Sequence, residues 1–373
     1  MSNVGLLVKR VTIEGFRSYK SFVIEPDPHL TVFVGPNAVG KTNLIEALQI
    51  LTAAESFRKP QWSEVVNWGE PEARLKLNAA GDGRSLEIVL NITCAGKRIY
   101  QINGKPKRKL SEMIGVLPSV TFTPDDLRLI KDSADKRRGA LDGLGVQLSP
   151  SYLNIKNEFE RVLKQRNAAL RAEPVSLDEL SVWSERLIAT GARLFSARVR
   201  LFEQVAAHLQ EAHAMITGGS AVRSLYQPSW ERDGLSGGCG RQQLEVDAAE
   251  ILSGMLTKKR DEERARKTTL VGPHRDDIRF FLDEDRDVRV YSSQGQQRTV
   301  ALAWKLAEVA VIKDILQRAP ILLLDDVMSE LDEKRRSAMA QFTGQAAQTF
   351  VTTTNTGYFD ESLLSRACLV RLG

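Results

Sequence analysis

Residues 30–53 constrain the fold more than any other part of the chain. The apolar run LTVFV leads into the loop GPNAVGKT at positions 35–42, and NLIEALQILTAA then repeats leucine and isoleucine at helical spacing. A buried strand, a glycine-containing loop and a helix in this order form the setting that a phosphate-binding loop requires. The sequence therefore predicts an α/β domain that binds a nucleotide at this loop.

The residue types in the loop suit contact with phosphate. Glycines such as Gly35 and Gly40 let the backbone approach closely, and the amide groups at the helix start face the anion. We expect Lys41 to reach the β- and γ-phosphate oxygens as a catalytic cation, and the Thr42 hydroxyl to ligate Mg²⁺. The other predicted nucleotide contacts in this segment are Asn37, Ala38 and Asn43.

A second constraint is ILLLDD at positions 321–326. A short run that is apolar on both faces indicates a central strand, and we expect it to lie beside the strand of the phosphate loop. Asp325 is predicted to hold the water shell of the magnesium ion, and Asp326 to accept a proton from the attacking water as a catalytic base. The alternative is a core strand that ends in two capping acids.

The segment YSSQGQQR at positions 291–298 precedes the helix that leads to this strand. Ser293, Gly295 and Gln296 at a helix start form a second predicted anion site. One nucleotide does not need two such sites from one chain. If two chains pack head to tail, Ser293 of one contacts the γ-phosphate held by the other. The nucleotide state then controls dimerisation.

These motifs resemble the ATP-binding cassette superfamily, whose signature loop has the form LSGGQ and precedes the Walker B strand. Leu331 and Asp332 are similar to the D-loop, and Thr354 or Asn355 stands where many relatives carry a switch histidine. A second match, LSGGC at positions 235–239, lacks the final glutamine and lies about ninety residues before ILLLDD. Its position favours a flexible turn.

The rest of the chain suggests two lobes. A length of 373 residues exceeds the usual single core. Short strands between 72 and 103 predict an antiparallel sheet, and the helical pattern from 149 to 265 predicts an inserted all-helical lobe that is too irregular for a long coiled coil. We therefore expect an α/β ABC-type ATPase head at 1–148 and 266–373, with the helical lobe at 149–265. A break rich in Gly and Ser covers 217–240.

The charge is compatible with a polyanionic partner. The formal net charge is +5 and the pI is about 9.0, although acidic and basic residues are mixed throughout. The segment NGKPKRK is either a solvated loop or a phosphate-contacting patch for DNA. The candidate DNA contacts are Lys105, Lys107, Arg108, Lys109, Arg137 and Arg138. The sequence leaves the roles of Arg193, Arg198 and Arg275 open.

The cysteine pattern and the hydropathy indicate the cellular compartment of the protein. Cys94, Cys239 and Cys368 are far apart and form no CxxC pair, so neither a disulfide framework nor a zinc site is predicted. A reducing cytoplasm fits this pattern. The sequence contains no stretch of eighteen apolar residues, so we expect no membrane partner.

Taken together, the motifs resemble the RecF family of bacterial recombination mediators. The matching segments are GPNAVGKTNLIEAL, SFR, INGKPKRK, TFTPDDLRLIKDS, KRRGALD, KQRNAAL, GPHRDD, YSSQGQQR and ILLLDDVMSELD, in the family's order and spacing. The resemblance implies a cytoplasmic, nucleoid-associated ATPase that uses ATP and Mg²⁺ and dimerises with ATP. It also implies binding to double-stranded DNA and to junctions of single- and double-stranded DNA, with RecR, RecO and RecA as partners.

Three other classes share part of this pattern. A transporter ATPase subunit is expected to carry a glutamine-containing loop where this chain has Thr123-Pro124-Asp125-Asp126. An SMC-type structural protein needs hundreds of residues of coiled coil. A phosphate-loop kinase has no signature loop.

Overall fold

The computed structural model describes residues 5–81, 83–230, 241–283, 285–343, 346–359 and 364–373. The LSGGC match at 235–239, which includes Cys239, lies outside these ranges. The chain divides into two compact units, Met1–Leu127 with Glu308–Gly373, and Arg128–Ala307. The domain limits predicted after 148 and 265 follow the helical sequence pattern and remain a prediction.

The elements have the following bounds. The strands are β1 (Leu7–Phe16), β2 (Tyr19–Ile24), β3 (Leu30–Val34), β4 (Glu72–Gly81), β5 (Arg84–Thr93), β6 (Arg98–Ile102), β7 (Lys105–Lys107), β8 (Ser119–Phe122), β9 (Val222–Gln227), β10 (Asp277–Leu282), β11 (Arg286–Asp287), β12 (Ile321–Asp325), β13 (Gln348–Thr353) and β14 (Cys368–Arg371). The helices are α1 (Lys41–Ala53), α2 (Ala134–Leu148), α3 (Pro150–Arg171), α4 (Leu177–Thr217), α5 (Arg241–Arg266), α6 (Val288–Tyr291), α7 (Gln294–Leu316) and α8 (Glu333–Thr343).

The first unit contains a parallel sheet in the order β14-β3-β13-β12-β8. Its central strands β12 and β13 are buried along their whole length, as the continuous apolar run of β12 predicts for that strand. The expectation that β12 lies beside β3 is wrong, because β13 lies between them. Strand order in a parallel sheet depends on the crossovers between strands, which a local hydrophobic pattern does not encode.

An antiparallel sheet completes this unit, in the order β2-β1-β4-β5-β6-β7. Buried and exposed residues alternate along β4, as expected for a sheet with one face on a core. Strands β6 and β7 are joined by Asn103 and Gly104 with φ angles of 50° and 72°. Positive φ at both positions is what a tight two-residue hairpin turn requires. One hydrophobic core packs the inner face of this sheet against α1 and includes Leu323 of β12 and Phe350 of β13.

The second unit contains α2 to α6, the start of α7 and a small sheet in the order β11-β10-β9. Helix α4 has 41 residues, which corresponds to about 60 Å, and it packs against α3 and α5. The structure thus confirms the predicted mixed α/β class with a helical insertion and no long coiled coil among the described helices. Strand β9 lies within 217–240, the segment that the sequence pattern indicates as a break between helices. Its residues Val222 and Tyr226 are buried, and the strand pairs with β10. In the described part of the chain, no helix is long and apolar enough to cross a membrane.

Candidate nucleotide-binding site

The phosphate loop connects β3 to α1, as predicted. Gly40 has a φ of 107°, and a Cβ atom at this position would lie 2.8 Å from Ser18 Oγ and 3.0 Å from the Tyr19 hydroxyl. A side chain at position 40 would therefore be strained in its backbone and would clash with the β1–β2 turn. Ala38 also has a positive φ, of 67°, and both Asn37 and Ala38 are exposed at the surface of the loop.

Lys41 lies at the first turn of α1 and is buried. Its ammonium group donates to the carbonyls of Gly35 and Pro36, at 2.8 Å each. The lysine is thus held against the loop by neutral acceptors and not by a carboxylate, so its charge stays available to an anion.

Thr42 and Asp325 meet although they are 283 positions apart in the sequence. The Thr42 hydroxyl donates to Asp325 Oδ1 at 3.0 Å, and the Thr352 hydroxyl of β13 donates to the same oxygen at 2.8 Å. Burial raises the pKa of Asp325, whereas the hydrogen bonds from Thr352 and Thr42 lower it. The intervening strand β13 thus helps to orient the acid that β12 places at its end.

This pair fits a magnesium ion better than a metal held by protein ligands alone. Among the described residues, no group of three or more His, Cys, Asp or Glu side chains could enclose a metal. Mg²⁺ prefers hard oxygen ligands and usually keeps several waters, so that one or two protein oxygens and substrate phosphates complete its shell. The Thr42 hydroxyl and the Asp325 carboxylate are such oxygens at hydrogen-bonding distance from each other.

Asp326 follows β12 in a left-handed conformation, with φ 51° and ψ 24°. Its backbone N–H donates to Thr352 Oγ1 at 3.0 Å, which fixes the turn. Its Oδ1 is buried and has no hydrogen-bond partner among the described residues. Burial raises the pKa of Asp326, and the like charges of Asp325 and Glu330 raise it further, while Lys41 lowers it. A strained, unpaired carboxylate with a raised pKa is suited to accept a proton.

A buried ion cluster beside the loop was missed by the sequence reasoning. Glu46 on α1 has no exposed side-chain surface and accepts from Arg17, from Arg58 and, at 2.7 Å, from Ser56. Arg58 also donates to Asn43 Oδ1 at 2.7 Å. The signal was present, because a glutamate within the otherwise apolar face LIEAL requires a partner when it is buried. Asn43, a predicted nucleotide contact, is thus positioned by this cluster.

The signature loop begins α7 in the second unit. Ser293 Oγ accepts from the N–H of Gln296 at 3.2 Å, and Gln296 Oε1 accepts from the N–H of Ser293 at 2.9 Å. This reciprocal pair is a capping arrangement, so the loop has a defined conformation. Gly295 follows the cap. Gln297 Nε2 donates to the carbonyls of Val288 and Ser292, at 3.1 and 3.3 Å, and ties the loop to α6.

Two further motifs have local structural roles. In the D-loop, Leu331 is buried and Asp332 Oδ1 accepts from the N–H of Arg335 at the start of α8. At the position of the switch histidine, Thr354 and Asn355 are exposed after β13, and Asn355 Oδ1 accepts from the N–H of Gly357 at 2.8 Å.

Comparison with known proteins places this geometry in a family. The family model described as "RecF/RecN/SMC N terminal domain" matches residues 7–370. The DNA replication and repair protein RecF of Halalkalibacterium halodurans is 36% identical over 97% of this chain and 96% of its own length. The chain belongs to the RecF family. The RecF proteins of a Synechococcus strain and of Heliobacterium modesticaldum are 34% and 33% identical over 96% and 98% of this chain, and over 93% and 97% of their own lengths.

Solved structures give the same result. A structure of the recombination mediator protein RecF with ATP in the RecFOR pathway has a TM-score of 0.86 and 28% identity, covering 96% of this chain and 95% of that one. An Smc head domain from Pyrococcus furiosus has a TM-score of 0.53 at 17% identity, over 98% of this chain and 93% of that one, and shares the fold. The RecF-family chain is therefore a member of the ABC/SMC-type ATPases. Membership of the RecF family also excludes the two alternative classes, a phosphate-loop kinase and a transporter ATPase subunit.

The basic hairpin of this RecF-family chain is exposed. Lys105, Arg108 and Lys109 are exposed, while Lys107 is partly buried and forms an ion pair with Glu112 at 3.4 Å. Glu112 also accepts from the backbone N–H groups of Arg108 and Lys109. Strand β7 is the edge of its sheet, where lysines also prevent pairing with another chain. These exposed cations therefore suit both contact with DNA phosphates and protection of the sheet edge.

Two of the predicted DNA contacts are largely enclosed by the fold. Arg137 is buried, and its guanidinium donates to Asp277 at 2.8 and 3.0 Å and to the carbonyl of Asp132 at 2.6 Å. Arg138 is half-buried and donates to the carbonyl of Asp276. Their donors are used inside the unit, so neither guanidinium is a free surface cation like those of the 105–109 segment. A cluster of like charges in the sequence does not reveal which member is buried against a distant acid.

The structure also places the arginines whose roles the sequence left open. Arg198 is buried and forms a two-point ion pair with Asp142 at 2.8 Å, which is a structural contact within the unit. Arg193 is exposed and pairs with Glu158 at 3.3 Å. Arg275 donates to the carbonyl of Thr269.

Proposed function

We propose that this protein is an ATP-dependent DNA-binding protein of recombinational DNA repair, in which ATP drives a head-to-tail dimer. The observation that carries the proposal is the convergence of the α1 N-terminus and the end of β12. There the Thr42 hydroxyl lies 3.0 Å from Asp325, and the neighbouring Asp326 has a buried, unpaired oxygen. This is the arrangement needed to bind Mg·ATP and to hydrolyse it.

Each residue of the site has a distinct task in this mechanism. Lys41 neutralises charge on the β- and γ-phosphates, and the loop amides from Asn37 to Gly40 cradle them. Thr42 and Asp325 would hold Mg²⁺, which supplies charge neutralisation on the phosphate oxygens when bound. Asp326 orients the attacking water and accepts its proton, which its raised pKa favours.

The signature loop supports the dimer. Ser293 and Gln296 are exposed and held by their mutual cap, and the Ser293 hydroxyl lies at the N-terminus of a 23-residue helix. We propose that Ser293, Gly295 and Gln296 of one chain contact the γ-phosphate bound by the other chain. ATP then becomes part of the interface, and hydrolysis removes a contact on which the closed dimer depends.

The DNA and protein partners follow from the family. RecF relatives are DNA replication and repair proteins, and one solved relative is a recombination mediator of the RecFOR pathway. We propose that this chain binds double-stranded DNA and junctions of single- and double-stranded DNA, and acts with RecR and RecO to load RecA in the cytoplasm at the nucleoid. The net charge of +5 and the exposed cations of the 105–109 segment support a DNA partner.

The test compares ATP binding and ATP hydrolysis in Asp326→Asn and in Asp261→Asn. Asp261 is an exposed acid on α5, so its replacement is a matched control for the loss of one charge. We expect Asp326→Asn to bind ATP but to hydrolyse it about 10²- to 10⁴-fold more slowly, because the proton acceptor is lost. Asp261→Asn should match the wild type. Hydrolysis at the wild-type rate in Asp326→Asn would show that Asp326 is not the base.

A further inference from the structure

A small pocket in the second unit is lined by three arginines. The three arginines are Arg137, Arg279 and Arg289. The carboxylates of Asp277 and Asp287 also line it. Three cations and two anions leave an excess of one positive charge. We call this site the Arg289 pocket.

Both aspartates are already satisfied within the fold. Asp277 Oδ1 accepts from Arg137 at 2.8 Å and from the N–H of Ile278 at 2.7 Å, and Asp277 Oδ2 accepts from Arg137 at 3.0 Å. Asp287 Oδ2 accepts twice from Arg279, and Asp287 Oδ1 accepts from the N–H of Arg289 at 2.8 Å. The acids therefore fix two arginines as walls of the pocket and present little free negative charge.

Arg289 supplies the positive charge that remains. Its side chain is exposed and forms no hydrogen bond or ion pair with any described residue. Arg137, by contrast, is 2% exposed, so its guanidinium is held in place before any ligand arrives. One free guanidinium in a pocket with two fixed arginines suits a small anion with oxygen acceptors, because the fixed side chains lose little freedom on binding.

The neighbouring surface favours nucleic acid as the source of that anion. Val290 and Tyr291 are 64% and 68% exposed directly after Arg289. An exposed tyrosine beside a guanidinium can pack on a sugar or base while the guanidinium contacts the phosphate. Lys131 and Lys136, which adjoin lining residues in the sequence, are also exposed, and their side chains form no hydrogen bond or ion pair with a described residue. An extended polyanion can contact all of these groups, whereas a single carboxylate cannot.

We propose that the Arg289 pocket binds one phosphodiester of the DNA backbone. This inference rests on the proposed DNA binding and adds a specific site to it. The site is connected to the signature loop, because Gln297 Nε2 donates to the carbonyls of Val288 and Arg289 in the same helix, α6. A phosphate on Arg289 restrains α6, and α6 in turn restrains the loop that carries Ser293.

The test measures how salt weakens binding to a double-stranded oligonucleotide at saturating Mg·ATP. The variants are Arg289→Ala, Arg289→Gln, which keeps most of the side-chain length, and Arg161→Ala. Arg161 is an exposed arginine on α3 that does not line the pocket, so its loss is a matched control for charge. Circular dichroism and thermal melting show whether each variant is folded; Arg289 forms no side-chain hydrogen bond or ion pair with a described residue, so we expect all of them to fold.

We expect the slope of log K against log salt to fall by about 0.9 in both Arg289 variants, because one phosphate contact is lost. Arg161→Ala should keep the wild-type slope. An unchanged slope in the Arg289 variants, or an equal fall in Arg161→Ala, overturns the pocket while the proposed ATP-dependent DNA binding stands. Failure of the wild-type protein to bind DNA overturns both proposals. Polyglutamate that displaces DNA from the wild type but not from Arg289→Ala, with equal DNA slopes, would instead assign the pocket to an acidic protein and overturn the inference.

Discussion

Replacing Glu46 with alanine tests the buried ion cluster that supports the phosphate loop. The Glu46 carboxylate has no exposed surface and accepts from Arg17 at 2.8 and 3.0 Å and from Arg58 at 3.0 Å. Removing one partner of a buried ion pair costs about 3–5 kcal/mol, since the other charge is left without compensation. The side chains of Arg17 and Arg58 are 19% and 37% exposed, so both can regain water. We therefore expect Glu46→Ala to lower the free energy of unfolding by about 3 kcal/mol, the low end of that range.

The free energy of unfolding is measured by urea denaturation, and hydrogen exchange of the α1 amides identifies the transition of the unit that contains Glu46. Glu46→Gln keeps the shape and one acceptor, so its loss should be smaller. Glu25→Ala removes an exposed ion pair with Arg10 and should change stability by less than about 0.5 kcal/mol. A loss below about 1 kcal/mol in Glu46→Ala would refute the reasoning, because the carboxylate would then not compensate the two arginines.

Three further predictions concern function. Ser293→Arg should leave ATP binding to the single chain intact and abolish the dimer in sedimentation velocity; normal dimerisation would contradict the trans contact. Neutralising the cations of the 105–109 segment should lower the salt slope of DNA binding by about 0.9 per lost phosphate contact, and an unchanged slope would leave edge protection as their role. Burial is the largest cause of the raised pKa of Asp326, and the negative charge of Glu330 raises it further. Glu330→Gln should therefore lower that pKa. Because hydrolysis is lost as the pH falls through the pKa of its base, the acid limb of the pH–rate profile should move to lower pH. A limb that stays in place would exclude this coupling.

Local sequence patterns were sufficient for the elements that carry the nucleotide motifs. The phosphate loop between β3 and α1, the buried strand β12 and the helix after the signature loop depend on residues that are close in the sequence. Their periodicity and glycine positions predict them. The order of the parallel strands was not predictable in this way, and β13 separates β12 from β3. The contribution of Thr352 to Asp325 was missed for the same reason.

Long-range burial explains the other differences. Arg137 stands in a run of basic residues that suggests a surface, but Asp277, 140 positions later, draws it into the interior. Glu46 is buried because two distant arginines reach it. The turn-forming composition of 217–240 conceals β9, whose stability depends on pairing with β10. Such partners are set by the tertiary fold, and a single sequence does not show them.

The central claim is that two chains share ATP between the lysine loop of one and the signature loop of the other. Sedimentation velocity of the wild-type protein at saturating Mg·ATP, with double-stranded DNA present, tests it most directly. The account predicts a dimer that forms with ATP and dissociates to single chains without nucleotide. A protein that remains a single chain under these conditions would contradict it.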